Sequence, residues 1–185
     1  MENETRSLST SPLMAPAALD PNNVYPWFAV VVRSSLANVA PMALQRLGYE
    51  QFNPTRTVRR QWSDRIKVIQ EPLFPGYLFC RFDPQNRLPV LTAPGVISIV
   101  GVGKKLLAID DQEIATIRTL LNSRSAVAPH PYLKAGQRVR IETGALTGVE
   151  GLLVAVRNEY RVIASITILQ RSVSVEIDPA RLRRL

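Results

Sequence analysis

Between Arg56 and Lys67 the chain places five cations, Arg56, Arg59, Arg60, Arg65 and Lys67, around one indole, Trp62. Guanidinium and ammonium groups neutralise phosphate and an indole stacks on an unpaired base, so this combination suits a nucleic-acid contact. The cations are interleaved with Val58, Trp62, Ile66 and Val68, a pattern in which one face could pack while the other meets phosphate. A solvated hairpin face would carry the same residues, and both readings stand. Just downstream, Phe74-Pro75-Gly76-Tyr77 sets two rings around a corner. Such rings either fill a core or offer a partner an apolar anchor.

Groups able to perform catalysis are scarce. His130 is the only histidine and lies between Pro129 and Pro131, which leaves no histidine base oriented by a folded site. Gly101-Val102-Gly103-Lys104-Lys105 lacks the spacing of a phosphate cradle and reads as a turn. Asp110 and Asp111 serve better as helix-capping acids than as a catalytic pair. Cys80, the only cysteine, permits neither a disulfide framework nor a thiolate metal site within one chain. The residues therefore call for no enzyme, no cofactor and no metal.

Elements must position the hairpin and the corner. Two prolines and Gly76 break the chain before Leu78-Phe79-Cys80-Arg81-Phe82, which reads as a central strand with Tyr77 and Phe79 on one face and Leu78, Cys80 and Phe82 on the other. Tyr25 to Arg33 is a buried strand. Ala40, Ala43, Leu44 and Leu47 share a helical face that Asn38 would cap, and Gly48 ends that helix. Ser63-Asp64 is expected to turn a hairpin. Asp110 with Glu113 forms a capping box for a helix carrying Ile114, Ile117, Leu120 and Leu121. The fold class is α+β: a disordered tail over 1–23, a mixed sheet with packed helices over 24–124, a flexible linker over 125–133, and a small five-stranded SH3-like barrel over 134–185.

The 185 residues are 46% hydrophobic, which excludes wholesale disorder, and 23 basic against 15 acidic residues give a net charge of +8, which favours a polyanionic partner. No apolar run approaches the roughly 18 residues of a membrane span. Pro16 interrupts the patch from Leu13 to Leu19, and the start lacks the basic opening of a secretory signal. A cytoplasmic protein is expected.

Four stretches, in order, resemble the NusG family of transcription elongation factors. Phe74-Pro75-Gly76-Tyr77-Leu78-Phe79 is similar to the signature of the family's amino-terminal (NGN) domain, Trp27-Phe28-Ala29-Val30 to its first strand, and Thr92-Ala93-Pro94-Gly95-Val96 with Val100-Gly101 to a later helix-to-strand segment. Gly136-Gln137-Arg138-Val139-Arg140-Ile141, followed by Gly144, Gly148 and Gly151, resembles the KOW motif of its carboxy-terminal domain. The resemblance implies a bacterial, monomeric, non-catalytic elongation or antitermination factor. It implies that Phe74, Pro75 and Tyr77, with Trp27, receive the clamp helices of the largest RNA polymerase subunit. It places the hairpin residues Arg56, Arg59, Arg60, Trp62, Arg65 and Lys67 near upstream DNA and the non-template strand.

The resemblance further implies that the KOW barrel takes a second partner through Ile168, Leu169 and Arg171: a small-subunit ribosomal protein or, in the general factor, Rho. Leu169 stands where the general factor tends to carry an aromatic, and Gln170-Arg171-Ser172-Val173 replaces a Gly-Arg-rich turn. Both departures count against Rho and make the chain look like a specialised RfaH-like or UpxY-like paralogue. Some such members hold this domain as a helical hairpin. Here its many β-branched residues predict a barrel in the free protein, mobile about the linker, with Ile168 and Leu169 open to a partner. A KOW-containing RNA-binding or ribosome-associated protein is the rival; it leaves the 74–79 signature unexplained.

Overall fold

The structure is a computed structural model that describes residues 25–62, 64–123, 125–132, 136–156 and 159–185. The tail expected over 1–23, Ser63 of the expected hairpin turn and Lys134 of the expected barrel lie outside the described residues. In chain order the first part contains β1 (Trp27–Val32), α1 (Val39–Arg46), β2 (Glu50–Phe52), β3 (Thr55–Gln61), β4 (Ile66–Pro72), β5 (Tyr77–Arg81), α2 (Leu88–Leu91), β6 (Val96–Ile99), β7 (Gly101–Val102), β8 (Lys105–Leu106), β9 (Ala108–Ile109) and α3 (Asp111–Asn122).

Strands β2, β5, β1 and β6 lie side by side, with β9 also paired to β1, and the β1–β5 and β1–β6 ladders are antiparallel. Period-two alternation sends side chains to two separate cores, as the apolar character of both faces requires. Trp27, Ala29, Phe74 and Phe79 pack with Ile114, Ile117 and Leu120 of α3 on one side. Phe28, Val30, Val32, Leu78, Cys80 and Phe82 pack with Ala40 and Leu44 of α1 and Val90 of α2 on the other. Each large side chain buried this way contributes about 1.5–3 kcal/mol of transfer free energy.

Both helix starts depart from expectation. Asn38 occupies the cap position of α1 but makes no side-chain cap bond, while Pro41 sits in the first turn, where a missing donor costs nothing. At α3, Asp110 Oδ1 accepts from the Gln112 N–H at 2.7 Å, as a cap should. The Glu113 carboxylate, expected to complete a capping box, is bonded to Thr167 instead.

The second part contains β10 (Val127–Pro131), β11 (Gln137–Ile141), β12 (Glu150–Val156), β13 (Glu159–Ile166), β14 (Arg171–Glu176) and β15 (Leu182–Arg184), ordered β10-β14-β13-β12-β11-β15 with antiparallel ladders. Among the described residues, β11 to β15 are the five strands expected over 134–185, and a sixth joins them. Residues 127–131, expected within the linker, supply the extra one: Pro129 lies opposite Val173 and Pro131 opposite Arg171. Proline removes a ladder donor but is tolerated on an edge strand, and β10 is an edge. Val139, Ile141, Val162, Ala164, Ile166, Val173 and Val175 fill the interior.

The two parts share one apolar cluster and are in contact. Buried Ile163 and half-buried Ser165 of β13, with Thr167, face Gln112, Glu113 and Thr116 of α3 across a cavity of about 370 Å³. Thr167 donates both its N–H (3.2 Å) and its hydroxyl (2.6 Å) to Glu113 Oε1.

Candidate functional site: an aromatic corner and a basic hairpin

The corner is a β-turn closed by the Tyr77 N–H donating to the Phe74 carbonyl at 3.0 Å. Pro75 presets the first central φ and Gly76 adopts φ +83° at the second, the requirement of a type II turn. The Gly76 carbonyl accepts from the Val32 N–H at 2.9 Å, tying the turn to the end of β1. Of the residues expected to contact a partner, Phe74 and Trp27 are 0% and 1% exposed, whereas Pro75 is exposed and Tyr77 half-buried. Phe74 meets Phe79 edge-on at 5.4 Å. Trp27 is covered by the Arg81 and Arg118 guanidiniums at 4.9 and 5.0 Å. Those arginines are held in turn by Glu50, and Arg81 also by Asp111 at 2.7 Å.

The hairpin stands as a separate two-stranded sheet, β3 against β4, with Arg56 opposite Glu71, Arg60 opposite Lys67 and Gln61 opposite Ile66. This register sorts the cations onto two faces. Arg56, Val58 and Arg60 share one face with Ile69, Lys67 and Glu71. Arg59 lies on the other, beside Thr57, Gln61, Ile66, Val68 and Gln70, so the expected single phosphate face is divided. Trp62 is exposed, with the Lys67 ammonium 5.9 Å from its ring, and Arg65 stands 3.7 Å from Asp64.

Arg56 and Arg60 are engaged by Glu71. Arg56 donates from Nε (3.0 Å) and Nη2 (2.6 Å) to Oε2, and Arg60 donates from Nη2 to Oε1 at 2.6 Å. The Arg56 bonds first, and the Arg60 bond second, hold the Glu71 carboxyl below the ordinary carboxylate range. Sequence reasoning did not place Glu71 in the site, although its signal is present: a turn at Ser63-Asp64 pairs Arg56 with Glu71 once the alternation is carried to the end of β4.

On the barrel, Ile168 and Leu169 are half-buried against the shared cluster, and the Arg171 guanidinium lies 5.3 Å from the Tyr77 ring centroid. Two surfaces expected to bind different partners therefore face each other. Glu113, read only as a capping residue, bonds the start of this barrel segment, a role no local pattern announces.

The family model described as transcription termination factor nusG matches residues 25–118, just over half of the chain. The chain belongs to the NusG family. It is a NusG-type transcription termination/antitermination factor, and the match spans both the hairpin and the corner. Among relatives, the transcription termination/antitermination protein NusG of Helicobacter pylori strain J99 is 26% identical over 164 residues, covering 82% of this chain and 93% of the relative. The NusG protein of Thermus thermophilus is 28% identical over 152 residues, covering 76% and 83%. A solved structure of a domain interaction in Thermotoga maritima NusG aligns with a TM-score of 0.47 at 20% identity, over 86% of this chain and 97% of that one.

Proposed function

We propose that this NusG-family chain is a non-catalytic elongation and antitermination factor that acts in the cytoplasm, binding the RNA polymerase clamp through the aromatic corner and nucleic acid through the hairpin. The barrel recruits a second partner, such as a small-subunit ribosomal protein, through Ile168, Leu169 and Arg171. The observation that carries the polymerase reading is the type II turn at Pro75-Gly76, which holds Tyr77 at a surface corner backed by the buried rings of Phe74 and Phe79. A helix seated on such a corner gains most of its affinity from a few desolvated aromatics. Bridging the clamp favours the processive polymerase by differential binding, without a chemical step. Among the described residues no helix is long and apolar enough to cross a membrane.

Tyr77 cannot carry the Arg171 guanidinium and a polymerase helix at once. Clamp binding at this corner therefore competes with the docked barrel, and releasing the barrel bares Ile168 and Leu169 for the second partner. The test is the affinity of the full chain for core RNA polymerase. Tyr77→Ala is expected to cost more than about 1 kcal/mol, roughly fivefold, with the thermal midpoint nearly unchanged. Unchanged affinity in that variant would remove the corner from the interface. Phe74→Ala is a poor probe by itself, because truncating a fully buried ring costs about 3–5 kcal/mol of fold stability.

A further inference from the structure

One acid has no part in the nucleic-acid reading of the hairpin. Glu71 is the only carboxylate within β3 and β4, and it lies against two of the hairpin's arginines. One of its oxygens takes the Nε and Nη2 fork of Arg56, and the other takes Nη2 of Arg60. Guanidinium forks match the oxygens of a phosphate as they match those of a carboxylate. Resting on the nucleic-acid reading, we propose that Glu71 is an internal stand-in for a nucleic-acid phosphate, holding a two-arginine site that a backbone phosphate takes over when the hairpin engages a strand.

Three features support the exchange. The cluster is open to solvent, with side-chain exposures of 33% for Arg56, 57% for Arg60 and 25% for Glu71, so an incoming anion has access and the ion pairs it displaces are individually weak. Two cations share one carboxylate, which leaves a positive charge in excess even while Glu71 is bound. Beyond the Arg56–Glu71–Arg60 cluster the same face continues through Lys67, opposite Arg60, to the exposed Trp62 at the tip, giving a strand that displaces Glu71 a continuous track of phosphate and base contacts. Glu71 thereby weakens binding to stray nucleic acid. It yields only to a strand that also occupies Lys67 and Trp62.

The experiment measures fluorescence anisotropy of a fluorescein-labelled single-stranded oligodeoxynucleotide against the full chain over a range of salt concentrations. Glu71→Gln keeps the side-chain shape and removes the charge. It is expected to bind about fivefold tighter at 0.1 M salt, with a log–log salt slope steeper by about 0.7, because the displaced Glu71 carboxylate of the wild type takes a cation back from solution and cancels the release at one phosphate. Adding Arg60→Gln to that variant should return both quantities towards wild type. A Glu71→Gln variant with wild-type affinity and slope overturns the proposal. Should the variant melt the hairpin, the wild-type Nε–H resonance of Arg56 in an NMR titration provides the reading: a shift on oligonucleotide addition supports the exchange, and an unmoved resonance overturns it. The parent reading is separated by Arg65→Glu with Lys67→Glu, cations outside the Arg56–Glu71–Arg60 cluster. If that pair binds as wild type does, both readings fall; if it loses binding while Glu71→Gln gains none, only the stand-in falls.

Discussion

Cys80 lies in β5 opposite Phe28 of β1 and Gln51 of β2, fully buried, and this setting controls its chemistry. Burial first, and the nearby Glu50 carboxylate second, push its thiol up to about 12 from an ordinary 9.0. A thiol held neutral is a poor nucleophile, so the native protein should react with a disulfide reagent at pH 8 only as fast as it unfolds. Rapid labelling without denaturant would show that the β1–β5 ladder opens. Because the folded pKa is raised, this group's contribution to stability is whole below about pH 9 and lost as pH rises towards 12. Denaturant midpoints recorded from about pH 8 to about pH 11 should accordingly fall. Phe74 and Trp27 illustrate the limit of residue-level reading, because an aromatic in a signature can support a surface from beneath without lying on it.

At the scale of elements, glycines that look alike in the KOW stretch do different work. Gly148 adopts φ +87° in open space, so an alanine there incurs only backbone strain, about 1–2 kcal/mol. Gly151 has room for no Cβ: one built there would overlap the Ile163 carbonyl oxygen across the β12–β13 ladder. Gly151→Ala is therefore expected to destabilise the barrel well beyond Gly148→Ala, with lost amide protection confined first to β12 and β13. Equal melting shifts for the two variants would contradict the ladder contact. The hairpin was legible because its turn residues and alternation are local. Strand β10 was not, because Pro129-His130-Pro131 favours extended backbone in a linker and an edge strand alike, and only the presence of β14 alongside decides between them.

At the scale of the whole molecule, α3 and the barrel hold each other through Glu113 and Thr167, while Arg171 lies over Tyr77. The polar part of this contact is concentrated in Glu113, and Glu113→Ala removes all of its hydrogen bonds from Thr167 at once. In that variant the rotational correlation times of residues 25–122 and 137–184, measured by ¹⁵N relaxation, are expected to diverge. Carbon shifts across β13 and β14 should stay those of strands, since the interior valines and isoleucines belong to the barrel itself. A single unchanged tumbling time would place the docking energy in the apolar cluster instead. Helical shifts over 162–175 would mean that release of the barrel also changes its fold.

By itself the sequence determined what depends on neighbours along the chain. The two-faced strand at 77–81, the Pro-Gly turn before it, the basic hairpin, the α3 stripe and the β-rich second part all arise from spacing and backbone preference, and the same local patterns carry the family resemblance. The tertiary structure alone decided matters that turn on distant partners. It buried Phe74 and Trp27, divided the hairpin cations between two faces by register, moved Glu113 from helix cap to interdomain contact, and laid the barrel segment over Tyr77. The physical reason is range: turns, caps and alternation are energies of a few adjacent residues, whereas burial and docking depend on which surfaces, far apart in sequence, exclude water from each other.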